Sequence, residues 1–305
     1  MQKAYIDALF ALASEDKKVL SLVADNGTDY DWLFHRDFPN QFHNVGIAEQ
    51  NMVAMAAGLA DTGMIPFVTT AGAFLIYRAY EFIRNDICIG HKNVKLIATG
   101  SGMSISNLGP THHTTEDIAL LQSLPGLTVF SPSTPEEVHI AVREAYKING
   151  PVYIRMGMTG ESNFAEPPES IYTANCLAEG SDVAICFSGS IGKSVLDAAE
   201  KLKEKGISAG VYSFSCLNPL DVKTIDKLSQ QVSLVITVED HNRTCGLGGL
   251  IANVLAGKRC HAPLLTIGTN GFAVGYGRQD EMRHQNGLSP DAIADVILKK
   301  WEAMA

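Results

Sequence analysis

Short runs of β-branched and aliphatic residues alternate along the chain with longer stretches whose apolar positions return at helical spacing. The runs predict strands from Val19 to Ala24, Ile65 to Thr70, Val94 to Thr99, Leu127 to Ser131, Val152 to Arg155, Val183 to Phe187, Ala209 to Phe214, Leu234 to Val238 and Leu264 to Ile267. The stretches predict helices near Ala48 to Asp61, Phe74 to Ile89, Thr115 to Ser123, Glu136 to Ile148, Lys193 to Lys205, Asp221 to Gln230, Leu247 to Ala256 and Asp291 to Met304, after a first helix around Ala4 to Leu12. Polar residues followed by Pro and early acids, Ser133-Thr134-Pro135-Glu136-Glu137 and Ser289-Pro290-Asp291, mark two helix starts. Strand and helix in turn build parallel sheets covered on both faces, so the expected fold class is α/β with two doubly wound domains. The aperiodic stretch Gly157 to Glu179, with Pro167-Pro168, is the expected junction. It gives a first domain at 1–160, a linker at 161–178 and a second domain at 179–305.

One charge breaks the pattern. Glu49 stands in a helix, Gly46 to Ala60, that is apolar on nearly all sides, and a helix of that kind packs inside a core or between subunits. A buried carboxylate is costly unless something specific meets it, and in an apolar site it can keep or lend a proton near neutrality. The competing reading is an acid on the helix's one wet edge. The small residues Ala54, Ala56, Ala57, Gly58 and Ala60 add the expectation that copies of this chain associate through this helix.

Composition narrows the partners. A net charge of -9 argues against nucleic acids and anionic membranes, leaving small molecules or another protein. No apolar stretch reaches the roughly 18 residues of a bilayer span, and the acid Asp7 in the first helix suits a cytoplasmic protein rather than a signal peptide. Six cysteines without a C-x-x-C pair suggest reduced thiols, with neither a zinc site nor a disulfide framework.

Two glycine motifs look like phosphate loops and fail the test. Gly189-Ser190-Ile191-Gly192-Lys193-Ser194 ends like a P-loop, but Phe187 stands where its first glycine must be, so a tight strand-to-helix turn is expected. Gly246-Leu247-Gly248-Gly249 lacks the dinucleotide fingerprint and reads as close helix packing. The loop Gly109 to Asp117 is different, because it sets His112 and His113 just before a helix cap, where proton transfer near neutral pH is the natural use of histidine. Metal binding is the rival there, without a spaced His or Cys set to complete it. Phe74 and Tyr77, three apart after a strand, form an aromatic pair where α/β sheets bind flat ligands; core packing is the alternative.

Taken together, these residues resemble a known family. Gly46-Ile47-Ala48-Glu49-Gln50-Asn51, Pro66-Phe67, Phe74-Leu75-Ile76-Tyr77, Gly109-Pro110-Thr111-His112 and Pro151-Val152-Tyr153-Ile154-Arg155 are similar, in order and spacing, to the pyrimidine-binding domain of transketolases. Gly189, Pro219-Leu220-Asp221, Val238-Glu239-Asp240-His241 and Gly246-Leu247-Gly248-Gly249 resemble the transketolase C-terminal domain. The resemblance implies thiamine diphosphate as cofactor, with Glu49 meeting the ring nitrogen of its aminopyrimidine, Phe74 stacking on that ring and Tyr77 beside it. It also implies His112 as catalytic and substrate-binding, and Arg155 as the holder of the far, often phosphorylated, end of the sugar.

The departures carry information too. The Gly-Asp-Gly motif that holds magnesium and diphosphate in this family is absent from the sequence. The resemblance is therefore to the small subunit of a split transketolase whose partner, an N-terminal subunit, binds the diphosphate and Mg2+, with this chain homodimerising in an α2β2 assembly. Leu108 stands where transketolases have an Asp, and Gly100 and Ser101 where they have a cationic or His group, which points to an unusual sugar. The expected activity is transfer of a two-carbon ketol unit from a ketose to an aldose. The rivals are the beta subunit of a 2-oxoacid dehydrogenase and a non-catalytic assembly subunit.

Overall fold

The computed structural model describes residues 1–25, 29–158, 162–164 and 166–304. In chain order its strands are β1 (Val19–Val23), β2 (Phe42–Asn44), β3 (Ile65–Ala71), β4 (Lys95–Thr99), β5 (Thr128–Phe130), β6 (Val152–Arg155), β7 (Asn175–Ala178), β8 (Val183–Ser188), β9 (Ala209–Ser213), β10 (Cys216–Asn218), β11 (Leu234–Asn242) and β12 (Leu264–Thr269). Its α-helices are α1 (Gln2–Glu15), α2 (Asp29–Asp37), α3 (Glu49–Asp61), α4 (Ala79–Phe82), α5 (Asp117–Gln122), α6 (Pro135–Lys147), α7 (Gly192–Glu204), α8 (Val222–Gln231), α9 (Leu247–Ala256), α10 (Gln279–Gln285) and α11 (Pro290–Glu302).

The strands form two sheets, β10-β5-β6-β4-β3-β1-β2 and β12-β11-β8-β9-β7. All pairs are parallel except β5 with β10 and β7 with β9. The expected α/β architecture with two sheets is therefore the one observed. β10 comes from the second half of the chain yet closes the edge of the first sheet, and one apolar cluster runs from Leu22 and Met52 to Phe214 and Leu247. The halves are joined through their cores, not merely tethered.

Each predicted strand and helix has an observed counterpart, and the misses have physical causes. β2 and β10 are three residues long, too short for a period to show, and β10 exists through pairing with a strand far away in sequence. β7 lies inside the expected linker, where it adds an antiparallel edge to β9; residues 159–161 and 165 of that stretch are outside the described ones. The helix expected from Phe74 to Ile89 is broken into a π-helical turn, Phe74–Arg78, then α4, then a second π-helical turn, Ile83–Cys88. Wide turns of this kind recur at functional sites. Thr134 and Ser289 cap α6 and α11 as their sequences suggest, Thr134 accepting the Glu137 N–H and Ser289 the Ala292 N–H.

The small residues of α3 expected to meet a second copy divide between two sides of the helix. Met52, Val53, Ala56 and Ala57 pack into the chain's own core, with Ala56 0% and Ala57 7% exposed, because this is the side that faces β3. The outward positions are Asn51, Met55 and Gly58.

Because β1, β2, β3, β4 and β6 are parallel, their C-terminal ends open on one edge. The chain order reverses between β1 and β3, and a crevice at such a switch point is where open α/β sheets bind ligands.

Candidate active site

A cavity of about 290 Å3 lies at that edge. Ala24 and Asp25 follow β1, Ile47 and Glu49 follow β2, Ala71 and Phe74 end or follow β3, and Leu108 and His112 follow β4. Its remaining wall is largely apolar, including Tyr5, Ile105 and Met158. Among the described residues no Lys or Arg lines it.

Glu49 is the first residue of α3 and is 1% exposed, so the wet-edge reading is excluded. Its place at a helix N-terminus favours negative charge. Its partner in the structure is not a bare proton but Arg78, whose Nη1 lies 2.5 Å from Glu49 Oε2. No sequence expectation falls on Arg78, although a cation four residues after Phe74 in an apolar helix is an available signal.

Phe74 lines the cavity and touches the His112 ring edge to face, with centroids 4.9 Å apart at 74°. Arg78 covers the Phe74 ring at 4.7 Å. His112 is brought there by a loop that two hydrogen bonds between Gly102 and Thr114 pin at its base. Gly109 has φ +78°, and a Cβ there would strike the ring of Tyr276, so only glycine allows the loop to pass. Thr111 Oγ1 meets His112 Nδ1 at 3.0 Å, and among the described residues Nε2 has no partner. Burial, and then the neighbouring His113, push the His112 pKa below the ordinary imidazole value, so the ring is neutral at pH 7. His113 itself is buried, with Nδ1 at 2.8 Å from Ala273 O, and takes no part in the cavity.

Two expected site residues stand elsewhere. Tyr77 turns away from the cavity: its hydroxyl donates to Glu116 Oε2 at 2.7 Å and accepts the Glu116 N–H at 3.2 Å. It thereby ties the Phe74 turn to the segment that follows His112. Burial, with the charges of Asp117 and Glu116, raises its pKa far above the ordinary tyrosine value. Arg155 does not line the cavity either. It is 3% exposed, and two of its three nitrogens are bonded inside the protein: Nε to Asp117 at 3.0 Å, and Nη2 to Thr114 O at 3.0 Å and to Asp240 O at 2.9 Å. Those bonds hold the guanidinium within the protein. Burial opposes its charge, yet Asp117 and its neighbours outweigh that and raise its pKa. Gly189, φ +73°, leaves the space that Arg155 and Ser131 use, which explains the strand-to-helix turn.

The second glycine motif is explained by an internal anion. Glu239 accepts the N–H groups of Leu247 and Gly248 at 2.7 and 2.9 Å, so a carboxylate of the chain itself occupies the N-terminus of α9. Ile105 packs where any side chain at Gly100 would go, and Leu108 is half exposed at the cavity. Among the described residues, no group of three or more His, Cys, Asp or Glu side chains is placed to hold a metal ion.

Residues 1–159 match the family description of the transketolase pyrimidine binding domain, and residues 173–293 that of the transketolase C-terminal domain. The chain belongs to the transketolase family. A putative transketolase C-terminal section from Methanocaldococcus jannaschii is 35% identical over 99% of this chain and 96% of that protein. One of the subunits of an apulose-4-phosphate transketolase from Phocaeicola vulgatus is 31% identical over 98% of this chain and 96% of that protein. A solved structure of a split gene transketolase, an inactive β4 tetramer, superposes with a TM-score of 0.85 at 33% identity, covering 98% of this chain and 96% of that one. This chain is a transketolase-type transferase subunit of the split kind.

Asp117→Ala is expected to destabilise the fold by about 3–5 kcal/mol, because it strands the Arg155 charge in the core. Urea denaturation of the variant against wild type checks it; a loss below about 1 kcal/mol would show that water reaches Arg155.

Proposed function

We propose that the cavity receives the aminopyrimidine end of thiamine diphosphate and that the chain is the small subunit of a two-chain transketolase, moving a two-carbon ketol unit from a ketose to an aldose. The observation that carries this reading is the cavity wall: a buried carboxylate and an aromatic ring beside a neutral histidine, in an apolar hollow without a cation. Those residues fit a flat, partly polar heterocycle. They do not fit a diphosphate, which needs cations or a nest of N–H groups. The volume, at the low end of the roughly 300–1,000 Å3 typical of ligand sites, also suits one ring better than a whole cofactor.

Bound thiamine diphosphate supplies the carbanion chemistry that cleaves and forms a bond beside a carbonyl. Glu49 shares a proton with the ring nitrogen, Phe74 fixes the plane of the ring, and the apolar wall keeps water from the reacting carbon. His112, neutral at pH 7, bonds sugar oxygens and moves a proton at them. Tyr77 acts as a strut between the Phe74 turn and Glu116.

The diphosphate and Mg2+ fall to an N-terminal partner subunit, and two copies of each chain make an α2β2 enzyme. The relative that is an inactive β4 tetramer supports a need for a second kind of subunit. The residues matched to each family domain, 1–159 and 173–293, support a division into two domains with a first domain near 1–160, and with β7 they support a start of the second a few residues before 179. The acidic charge and the buried free thiols Cys88, Cys186 and Cys216 fit the cytoplasm.

The substrate is proposed to be a non-standard sugar. Leu108 offers no carboxylate to a hydroxyl, Ile105 fills the space at Gly100, and Arg155 is committed to the core. A relative named for apulose 4-phosphate supports that direction.

Glu49→Gln in the two-chain complex should slow exchange of the cofactor C2 proton, followed by NMR, by roughly 10²-fold or more while leaving assembly intact. Unchanged exchange would remove Glu49 from the reaction. Leu108→Asp should move the ratio of specificity constants toward the standard pentose phosphates by on the order of tenfold, one hydrogen bond to a charged group. A ratio that stays at the wild-type value in steady-state kinetics would place sugar selection elsewhere.

A further inference from the structure

The polar wall of the cavity is held from behind. Glu49 and Phe74 both line the cavity, and Arg78 does not. Yet Arg78 bonds Glu49 Oε2 through Nη1 at 2.5 Å while its guanidinium carbon lies 4.7 Å from the centre of the Phe74 ring. Phe74 and Arg78 begin and end one π-helical turn, whereas Glu49 opens α3. One side chain therefore joins two elements that each contribute one wall of the site.

The chemistry of that side chain matters. A guanidinium can hydrogen-bond a carboxylate with its edge and stack on an aromatic ring with its face, and an ammonium cannot do both. Arg78 is 39% exposed and Glu49 1%, so the acid keeps a counter-charge that is still in touch with water. Only one partner of the pair is fully desolvated.

We infer that Arg78 is the positioning residue of the cofactor ring. It engages one oxygen of Glu49 as a carboxylate, leaves the other for a ligand, and fixes the Phe74 ring against which that ligand lies. The inference rests on the proposed meeting of Glu49 with the ring nitrogen. It adds that Arg78 sets both the carboxylate and the aromatic ring that the cofactor ring meets.

The test is calorimetric affinity of the two-chain complex for thiamine diphosphate and for its 1′-deaza analogue, in which the ring nitrogen is replaced by C–H. Wild type should prefer the true cofactor by on the order of tenfold, the value of one hydrogen bond to a charged group. Arg78→Met should lose most of that preference and bind the cofactor more weakly. Arg78→Lys, which keeps the charge and lacks the stacking face, should fall between them. Retention of the full preference by both variants would overturn the inference. So would tighter cofactor binding by Arg78→Met, which would make Arg78 a plug competing for the same contacts. Absence of any preference in wild type would instead sink the reading of Glu49 itself, before Arg78 is considered.

Discussion

The Asp117–Arg155 pair is the interaction on which the site's geometry depends. Both groups are buried, at 0% and 3% exposure, and a buried pair is tolerable only when its remaining donors and acceptors are satisfied. Tyr153 donates to Asp117 at 2.5 Å, and Arg155 Nη2 reaches the carbonyls of Thr114 and Asp240. Each bond fixes something different. Thr114 anchors the loop that carries His112, Asp117 starts α5, Tyr153 and Arg155 belong to β6, and Asp240 belongs to β11 of the second sheet. The position of a residue at the cavity is thus set by charges that never face it. Arg283 continues the network by holding Asp240 Oδ2 at 3.0 Å and Ser190 Oγ at 2.9 Å, so the second half of the chain also braces the site.

The same residues explain the division of labour between chains. With Arg155 committed to the core and no Lys or Arg among the described residues of the cavity wall, the chain carries an electrostatic environment for a ring and not for phosphates. An anion brought to this cavity alone would meet Asp25 and Glu49. A second surface with cations or metal is a physical requirement of the proposed reaction, and it explains how a chain with two α/β sheets can be half of a catalyst.

Much of this is legible in the residues because period and burial are local properties. The alternation of strands and helices, the unusual acid at Glu49, the His112 loop and the Phe74 ring all declare themselves within a dozen positions. The burial of Arg155 is not legible because its partners Asp117 and Asp240 lie 38 and 85 positions away, and a cation at a strand end looks the same whether it faces solvent or a carboxylate. Tyr77 misleads because a π-helical turn shifts which residues share a face. Arg78 escapes notice because its two contacts come from different elements, and no spacing rule links residue 49 to residue 78. The small residues of α3 illustrate a further limit: Ala56 and Ala57 pack within the same chain while Gly58 faces outward, and residue type alone does not divide them.

The central claim is that this chain holds only the ring half of a thiamine diphosphate site. It is tested most directly by titrating thiamine diphosphate with Mg2+ into the purified chain and, separately, into its complex with the N-terminal partner subunit, with heat of binding as the readout. The account predicts saturable binding by the complex and none by the chain alone at the same concentrations. Equal binding by the isolated chain would contradict it, since the diphosphate would then have found its partners among residues this structure turns away from the cavity.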